Sequence, residues 1–250
     1  MSQILIAAIL SDRLFQELIR SKKIIKRREI LVSIGIPTFN RPYELVSCLK
    51  NLIKQTYKNL EIIVVDNNSD QDIKKNLYSS EIFLDKRIRV IKNKHNIGIL
   101  KNAELALKFA KGEFFCWVSD DDWRSTTFIE DLLKLSIKHP NQAIYCSQYQ
   151  DIIDNCSPCL THLSNKFKVG LLGSKFSILR QIYFYLLDHA GGKCNYFYSL
   201  IPTNYLRQIN FKEVSRNWKD LSMDRNIVYF LLRNNRIVLS NKKLFALKNN

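Results

Sequence analysis

Three consecutive carboxylates, Asp120, Asp121 and Asp122, follow directly on the apolar run Phe114 to Val118. A short run rich in aromatic and β-branched residues reads as a buried strand, so the acids sit where a strand leaves its sheet. At an effective dielectric near 20, two unit charges about 4 Å apart repel by roughly 4 kcal/mol. A divalent cation reverses that sign, and oxygen-only ligands suit Mg²⁺ or Mn²⁺. The competing reading is an acidic loop left in water.

The elements that would place these acids repeat along the chain. Ile30 to Ile36 is dominated by Ile, Leu and Val, as in a parallel strand buried on both faces, and it empties into Pro37-Thr38-Phe39-Asn40-Arg41-Pro42. Pro42 suits a first helical turn, and Leu45, Leu49, Leu52 and Ile53 share a face up to Gln55. Leu60 to Val65 is a second strand, ending at the turn-forming cluster Asp66 to Asp70. A short helix over Asp72 to Ser79, a strand over Ile88 to Lys92 and a helix over Ile99 to Ala110 follow. After the acids, Phe128 to Lys138 reads as a helix and Ala143 to Tyr149 as a further strand.

Strand and helix in alternation give an α/β fold, a mostly parallel sheet with helices on both faces. Right-handed crossovers bring every strand's carboxyl end to one edge. Pro37 to Arg41, Asp66 to Asp70, His95 to Gly98 and Asp120 to Asp122 then meet where open α/β sheets bind ligands.

Composition narrows the ligand. Thirty-nine basic against 23 acidic residues give a net charge of +16, which calls for an anionic partner. The chain contains no G-x-G-x-x-G, no G-x-x-x-x-G-K-[ST] and no G-x-S-x-G, so dinucleotide, Walker-type phosphate and serine-hydrolase sites have no support. Three acids at the crevice would repel a nucleic-acid backbone, and the bases are spread rather than interleaved with aromatics, which argues against nucleic acid. Of six cysteines, Cys156 and Cys159 have CxxC spacing but no second pair, so ordinary thiols in a reducing cytoplasm are expected.

These residues resemble glycosyltransferase family 2, the inverting nucleotide-sugar transferases of the GT-A fold. The matches run from Ser33-Ile34-Gly35-Ile36-Pro37-Thr38-Phe39-Asn40 through Val64-Val65-Asp66-Asn67-Asn68-Ser69-Asp70, Asn96-Ile97-Gly98, Asn102 and Gly112-Glu113 to Ser119-Asp120-Asp121-Asp122. The resemblance implies that Asp66 accepts a hydrogen bond from a uracil or thymine imide, with a helix N-cap as its structural alternative. It implies that Pro37, Thr38 and Asn40 line the base and ribose. Asn96 and Asn102 stand equally as contacts or as capping and packing residues.

The acid cluster departs from the family's commoner Asp-x-Asp-Asp, because Ser119 fills the first acidic position. By alignment Asp121 binds the Mn²⁺ or Mg²⁺ that bridges the two phosphates. Asp120 takes the ribose or a second metal contact, and Asp122 orients the loop or faces the metal and donor sugar. The resemblance also calls for a catalytic base ahead of a late helix. Asp224, opening a helical pattern with Ile227, Val228, Phe230, Leu231 and Leu232, fits that position, and Asp220 competes with it.

The remaining segments set expectations of a broader kind. Residues 29–150 form the nucleotide-sugar-binding half and 151–250 a smaller acceptor-side half of the same domain, ending in strands over Ile237 to Leu239 and Leu244 to Leu247. A piece covering the acceptor is expected beyond Asn250. The helix over Ser174 to Asp188 carries Phe176, Ile178, Leu179, Ile182, Tyr183, Leu186 and Leu187, and a stripe at that spacing is expected to be core. Residues 1–28 form an amphipathic helix ending in Lys22, Lys23, Lys26, Arg27 and Arg28; it rests on an anionic membrane or packs on the domain or a partner subunit.

The expected activity is transfer from a UDP- or dTDP-sugar to a hydroxyl of a saccharide or lipid-linked acceptor in surface polysaccharide synthesis, at the cytoplasmic face of the membrane. The alternatives are a nucleotidyltransferase on a related fold, which would want a Gly-rich loop after the first strand, and a non-catalytic anion-binding protein.

Overall fold

The computed structural model describes Glu17, Arg20, residues 29–152 apart from 79, 81 and 143, and residues 171–186, 193–217 and 223–248. The Cys156–Cys159 spacing, Leu187, Asp220 and the remainder of the N-terminal amphipathic segment lie outside them.

The chain begins with β1 (Val32–Thr38), α1 (Pro42–Leu52) and β2 (Leu60–Asp66), followed by α2 (Ile73–Tyr78), β3 (Ile88–Lys92) and α3 (Ile99–Lys108). It continues through β4 (Phe114–Trp117), the two-residue β5 (Trp123–Arg124), α4 (Phe128–Lys138) and β6 (Ile144–Ile152). The second half holds α5 (Ser177–Leu186), a 3₁₀ turn at Lys193–Tyr198, β7 (Ile201–Pro202), α6 (Thr203–Leu206), α7 (Phe211–Asn217), α8 (Met223–Asn234) and β8 (Ile237–Lys248).

The central sheet has the order β3-β2-β1-β4-β7. The first four strands are mutually parallel, and β7 closes the edge antiparallel to β4. Alternation along the buried strands separates two cores. Ile62 and Val64 of β2 pack with Leu45, Leu49, Phe128 and Leu132 on the α1 and α4 face. Ile63 and Val65 pack with Ala103, Leu107, Phe115 and Trp117 on the α3 and α8 face. On that second face Gly35 lets β1 come close: a Cβ there would stand 2.4 Å from the Phe115 ring. Cys48, Cys116 and Cys146 are free thiols buried in these cores, and burial pushes Cys48 up to about 12.

Three expectations are corrected. The strand expected at Ala143 to Tyr149 is β6, but it stays out of the parallel sheet because β7 occupies the free edge of β4. It joins a second sheet, ordered β5-β8-β6. The two C-terminal strands are one, β8, running parallel to β6 with register shifts around Gln148 that absorb the irregularity.

The third concerns α5. Of the stripe expected in the core, Tyr183 is packed there only in part, and the side chain that α5 does bury in it, Phe184, was not counted in that stripe. Phe176, Ile178, Leu179, Ile182 and Leu186 are exposed. Arg180 sets that rotation: its buried guanidinium donates to the carbonyls of Leu232 (3.0 Å) and Arg233 (3.2 Å) at the end of α8, and to Ser174 (2.7 Å). A charged side chain is held inside only where it is hydrogen-bonded, and satisfying it turns the apolar arc outward.

Candidate active site

Strand order reverses between β1 and β4, since β2 and β3 lie to one side of β1 while the chain returns to the other for β4. A ligand crevice is expected outside the carboxyl ends at such a switch point. A cavity of about 580 Å³ lies there, lined by residues from both strand ends, including Pro37, Thr38, Arg41, Ser119, Asp120 and Asp121.

Asp120 and Asp121 are knit to the β1 loop. The Thr38 hydroxyl donates to Asp120 Oδ2 at 2.7 Å. Arg41 Nη1 bonds Asp121 Oδ2 and lies 3.5 Å from Asp120 Oδ1. Ser119, which stands where an acid was expected, donates its hydroxyl to Asp121 Oδ1 at 2.5 Å. The two carboxylates separate electrostatically. Burial pushes Asp120 up despite Thr38 and Arg41. Burial also acts to raise Asp121, but the hydrogen bonds from Ser119 and Arg41 outweigh it and hold Asp121 below the usual carboxylate range.

Asp122 does not line that cavity. It lines a neighbouring cavity of about 360 Å³ with Glu44 and Asp121, and lies 3.4 Å from the fully buried Arg124 guanidinium. Burial raises it to about 6 against the pull of Arg124.

The opposite wall is a web of amides. Asn67 Oδ1 accepts from the Ile97 amide (2.9 Å) and from Asn93 Nδ2 (3.1 Å), while Asn67 Nδ2 donates to Asn96 (2.8 Å). Asn93 also donates to Asn102, which in turn donates to the Val65 carbonyl. Asn96 and Asn102 therefore line the cavity and brace it at once. Gly98 opens α3 at φ 84°, ψ 160°, a conformation open to glycine, and brings the positive end of that helix to the cavity.

Asp66 and Asn40 take structural partners. Asp66 is buried, and its Oδ1 accepts from the Ser69 amide at 2.8 Å, a turn contact rather than a helix N-cap, since α2 begins only at Ile73. Its Oδ2 lies 3.9 Å from Lys92. Asn40, at φ 55°, pairs with Asp70 through both side-chain atoms and so ties the β1 and β2 loops together. Neither lines the cavity, whereas Pro37 and Thr38 do.

The far side belongs to the second half. Met223, the first residue of α8, lines the cavity with Phe197 and Tyr198. Asp224 follows in the first turn of α8, half-buried, with Oδ1 accepting from the Arg225 amide at 2.7 Å. Burial pushes the Tyr198 hydroxyl up, and Asp122 and Asp224 add to the effect, so both carboxylates lie within electrostatic reach of Tyr198. Asn67, Arg41 and Tyr198 escaped the sequence reading. Asn67 and Arg41 belong to segments already singled out, but nothing local in Cys194 to Tyr198 marks Tyr198.

The buildable chemistry is anion binding through a cation on carboxylates. Among the described residues no three acidic, His or Cys side chains converge to hold a metal by themselves. Mg²⁺ and Mn²⁺ sites of one or two carboxylates completed by phosphate and water need no more. The donor set fits such an ion, since Asp120 and Asp121 already converge on one cation, the Arg41 guanidinium.

A parallel sheet with order 3-2-1-4, an acidic loop at its switch point and a smaller second sheet are the architecture of the GT-A type. The glycosyl transferase family 2 pattern matches residues 33–194. The chain belongs to that family.

It is similar, at 24% identity over 86% of this chain and 95% of the other, to the Escherichia coli UDP-Glc:alpha-D-GlcNAc-diphosphoundecaprenol beta-1,3-glucosyltransferase WfgD. It is 33% identical to the Streptococcus pneumoniae glycosyltransferase GlyG, over 41% of this chain and 34% of GlyG, so it spans about a third of that relative. Among solved structures, S. aureus TarS 1-349 in complex with UDP superposes with a TM-score of 0.65 at 20% identity, covering 88% of this chain and 61% of TarS. The Pyrobaculum calidifontis mannosyltransferase PcManGT, solved with GDP-Man and Mn²⁺, gives a TM-score of 0.59 at 14% identity over 98% of this chain and 66% of that one. At these identities the structures establish the shared fold.

Proposed function

We propose that this protein transfers a sugar, with inversion, from a UDP- or dTDP-sugar to a hydroxyl of a saccharide or lipid-linked acceptor in surface polysaccharide synthesis. The observation that carries the reading is the convergence of Thr38, Arg41, Asp120 and Asp121 in one cavity at the sheet's switch point. Asp121 is the first residue to hold Mn²⁺ or Mg²⁺, with Asp122 beside it and Asp120 toward the ribose. The ion, when bound, supplies positive charge to the departing diphosphate, so no general acid is needed.

The chain's own groups do the remainder. Pro37 and Thr38 line the base and ribose end, and Asn40 holds their loop against Asp70. Asp66 offers Oδ2, which carries no hydrogen bond among the described residues, to the base imide. Arg41 balances the carboxylates before an ion arrives. Asp224 takes the proton from the acceptor hydroxyl as that oxygen attacks the sugar's anomeric carbon from the face opposite the nucleotide. Support for the acceptor class comes from WfgD, whose name specifies a diphosphoundecaprenol-linked acceptor. Membrane attachment through the basic N-terminal segment would bring such an acceptor within reach.

Calorimetry of UDP binding tests the reading. The wild-type protein is expected to bind UDP with Mn²⁺ and to lose binding in EDTA, and Asp121→Ala is expected to abolish the Mn²⁺-dependent component. Tight binding that survives both EDTA and the substitution refutes it.

A further inference from the structure

The outward face of α5 has no role in the chemistry above. Ile178, Leu179, Ile182, Tyr185 and Leu186 recur at helical spacing and occupy one arc, and all are exposed, Ile182 at 51% and Leu186 at 71%. Phe176, 67% exposed, extends the patch ahead of the helix. A contiguous apolar surface of this kind on a protein of net charge +16 marks an interaction site.

Charge selects the occupant. Between Asp154 and Glu213 the sequence carries one acidic residue, Asp188, against seven Lys and Arg. The exposed Lys175 precedes Phe176 at the start of the patch, and the Arg180 clamp brings the exposed Arg233 at the end of α8 to that same end of α5. Arg236 is close by: after burial, its charge is the other influence that lowers the Arg180 pKa. An apolar arc with a basic rim is the pattern of a helix lying in the plane of an anionic bilayer, its side chains sunk about 5–10 Å into the headgroup boundary. No helix among the described residues is long and apolar enough to cross a membrane, so contact through these residues is peripheral.

We propose that the exposed face of α5 docks the protein on an anionic lipid bilayer. This surface is built from residues other than the N-terminal basic segment, and the inference holds whichever sugar is transferred. The Arg180 clamp fixes α5 on α8, whose first residues line the cavity, so docking here would also set the height of the active site above the lipid.

Cosedimentation of the full chain with vesicles tests this, comparing phosphatidylglycerol–phosphatidylcholine mixtures with pure phosphatidylcholine. The variants are Ile182→Glu with Leu186→Glu, the neutral pair Ile182→Ser with Leu186→Ser, and a chain with Lys22, Lys23, Lys26, Arg27 and Arg28 all changed to Gln. All altered α5 positions are exposed, so folding, followed by circular dichroism, should persist. The wild type is expected to favour anionic vesicles, and the Glu pair to weaken partitioning by about tenfold or more, with the Ser pair between them. Loss in the α5 variants, with residual α5-dependent binding in the Gln variant, supports the inference. Three results overturn it: no vesicle binding by the wild type, undiminished binding by both α5 pairs, or a dimer in solution that the Glu pair dissociates while vesicle binding is unchanged.

Discussion

Replacing Arg41 by Gln removes the cation that, among the described residues, contacts Asp121, and leaves the loop backbone in place. A bare Coulomb figure at 3.5 Å and an effective dielectric of 20 would be about 5 kcal/mol. Arg41 is 42% exposed, however, and ion pairs in contact with water are worth about 0.2–1 kcal/mol. The upper end applies, because two carboxylates share the guanidinium and Asp121 is only 13% exposed. A divalent ion approaching Asp121 must first displace Arg41. Removing that competitor therefore tightens Mn²⁺ binding by about 1 kcal/mol, or about fivefold in Kd. The ion-free protein moves the other way, losing a similar amount of stability as Asp120 and Asp121 repel each other uncompensated. Mn²⁺ titration of the nucleotide-free protein by calorimetry, paired with urea denaturation in EDTA, measures both. The difference in Kd should shrink in 1 M salt, where the Debye length falls to about 3 Å. An unchanged or weakened Mn²⁺ affinity in Arg41→Gln refutes the displacement argument.

Two further outcomes are expected. Asp122 is raised from 3.8 to about 6, so between those values the folded chain keeps a proton that the unfolded chain has lost, and its contribution to stability falls as pH rises. The stability of Asp122→Asn minus that of the wild type should accordingly grow between pH 4 and 6 by about 2 kcal/mol in urea titrations, and a flat difference counts against the burial argument. Asp224→Asn is expected to keep UDP binding while transfer falls by about 10²–10⁴-fold in a sugar-release assay with acceptor; a loss of UDP affinity instead would assign Asp224 to the donor site.

What the sequence determined by itself is local or periodic. The apolar runs of β1 to β4, the helices between them and the polar segments at their carboxyl ends follow from side-chain period and turn chemistry. Right-handed crossovers then leave one edge for those ends to share. Asp120 and Asp121 reach their cavity on that logic alone.

Pairings between distant segments were settled only by the tertiary structure. Asp66 and Asn40 carry the same residue types whether they face a ligand or brace a loop; the structure ties Asn40 to Asp70 across the β1 and β2 loops, and gives Asp66 Oδ1 to the Ser69 amide while Oδ2 carries no hydrogen bond among the described residues. Asp121 lines both cavities, while Asp120 lines only the larger one and Asp122, 3.4 Å from Arg124, only the smaller. The apolar stripe of α5 looks like core at any position along a chain. It faces outward because a single buried arginine must satisfy the last carbonyls of α8, some fifty residues further along the chain, and helical period cannot record a partner at that distance.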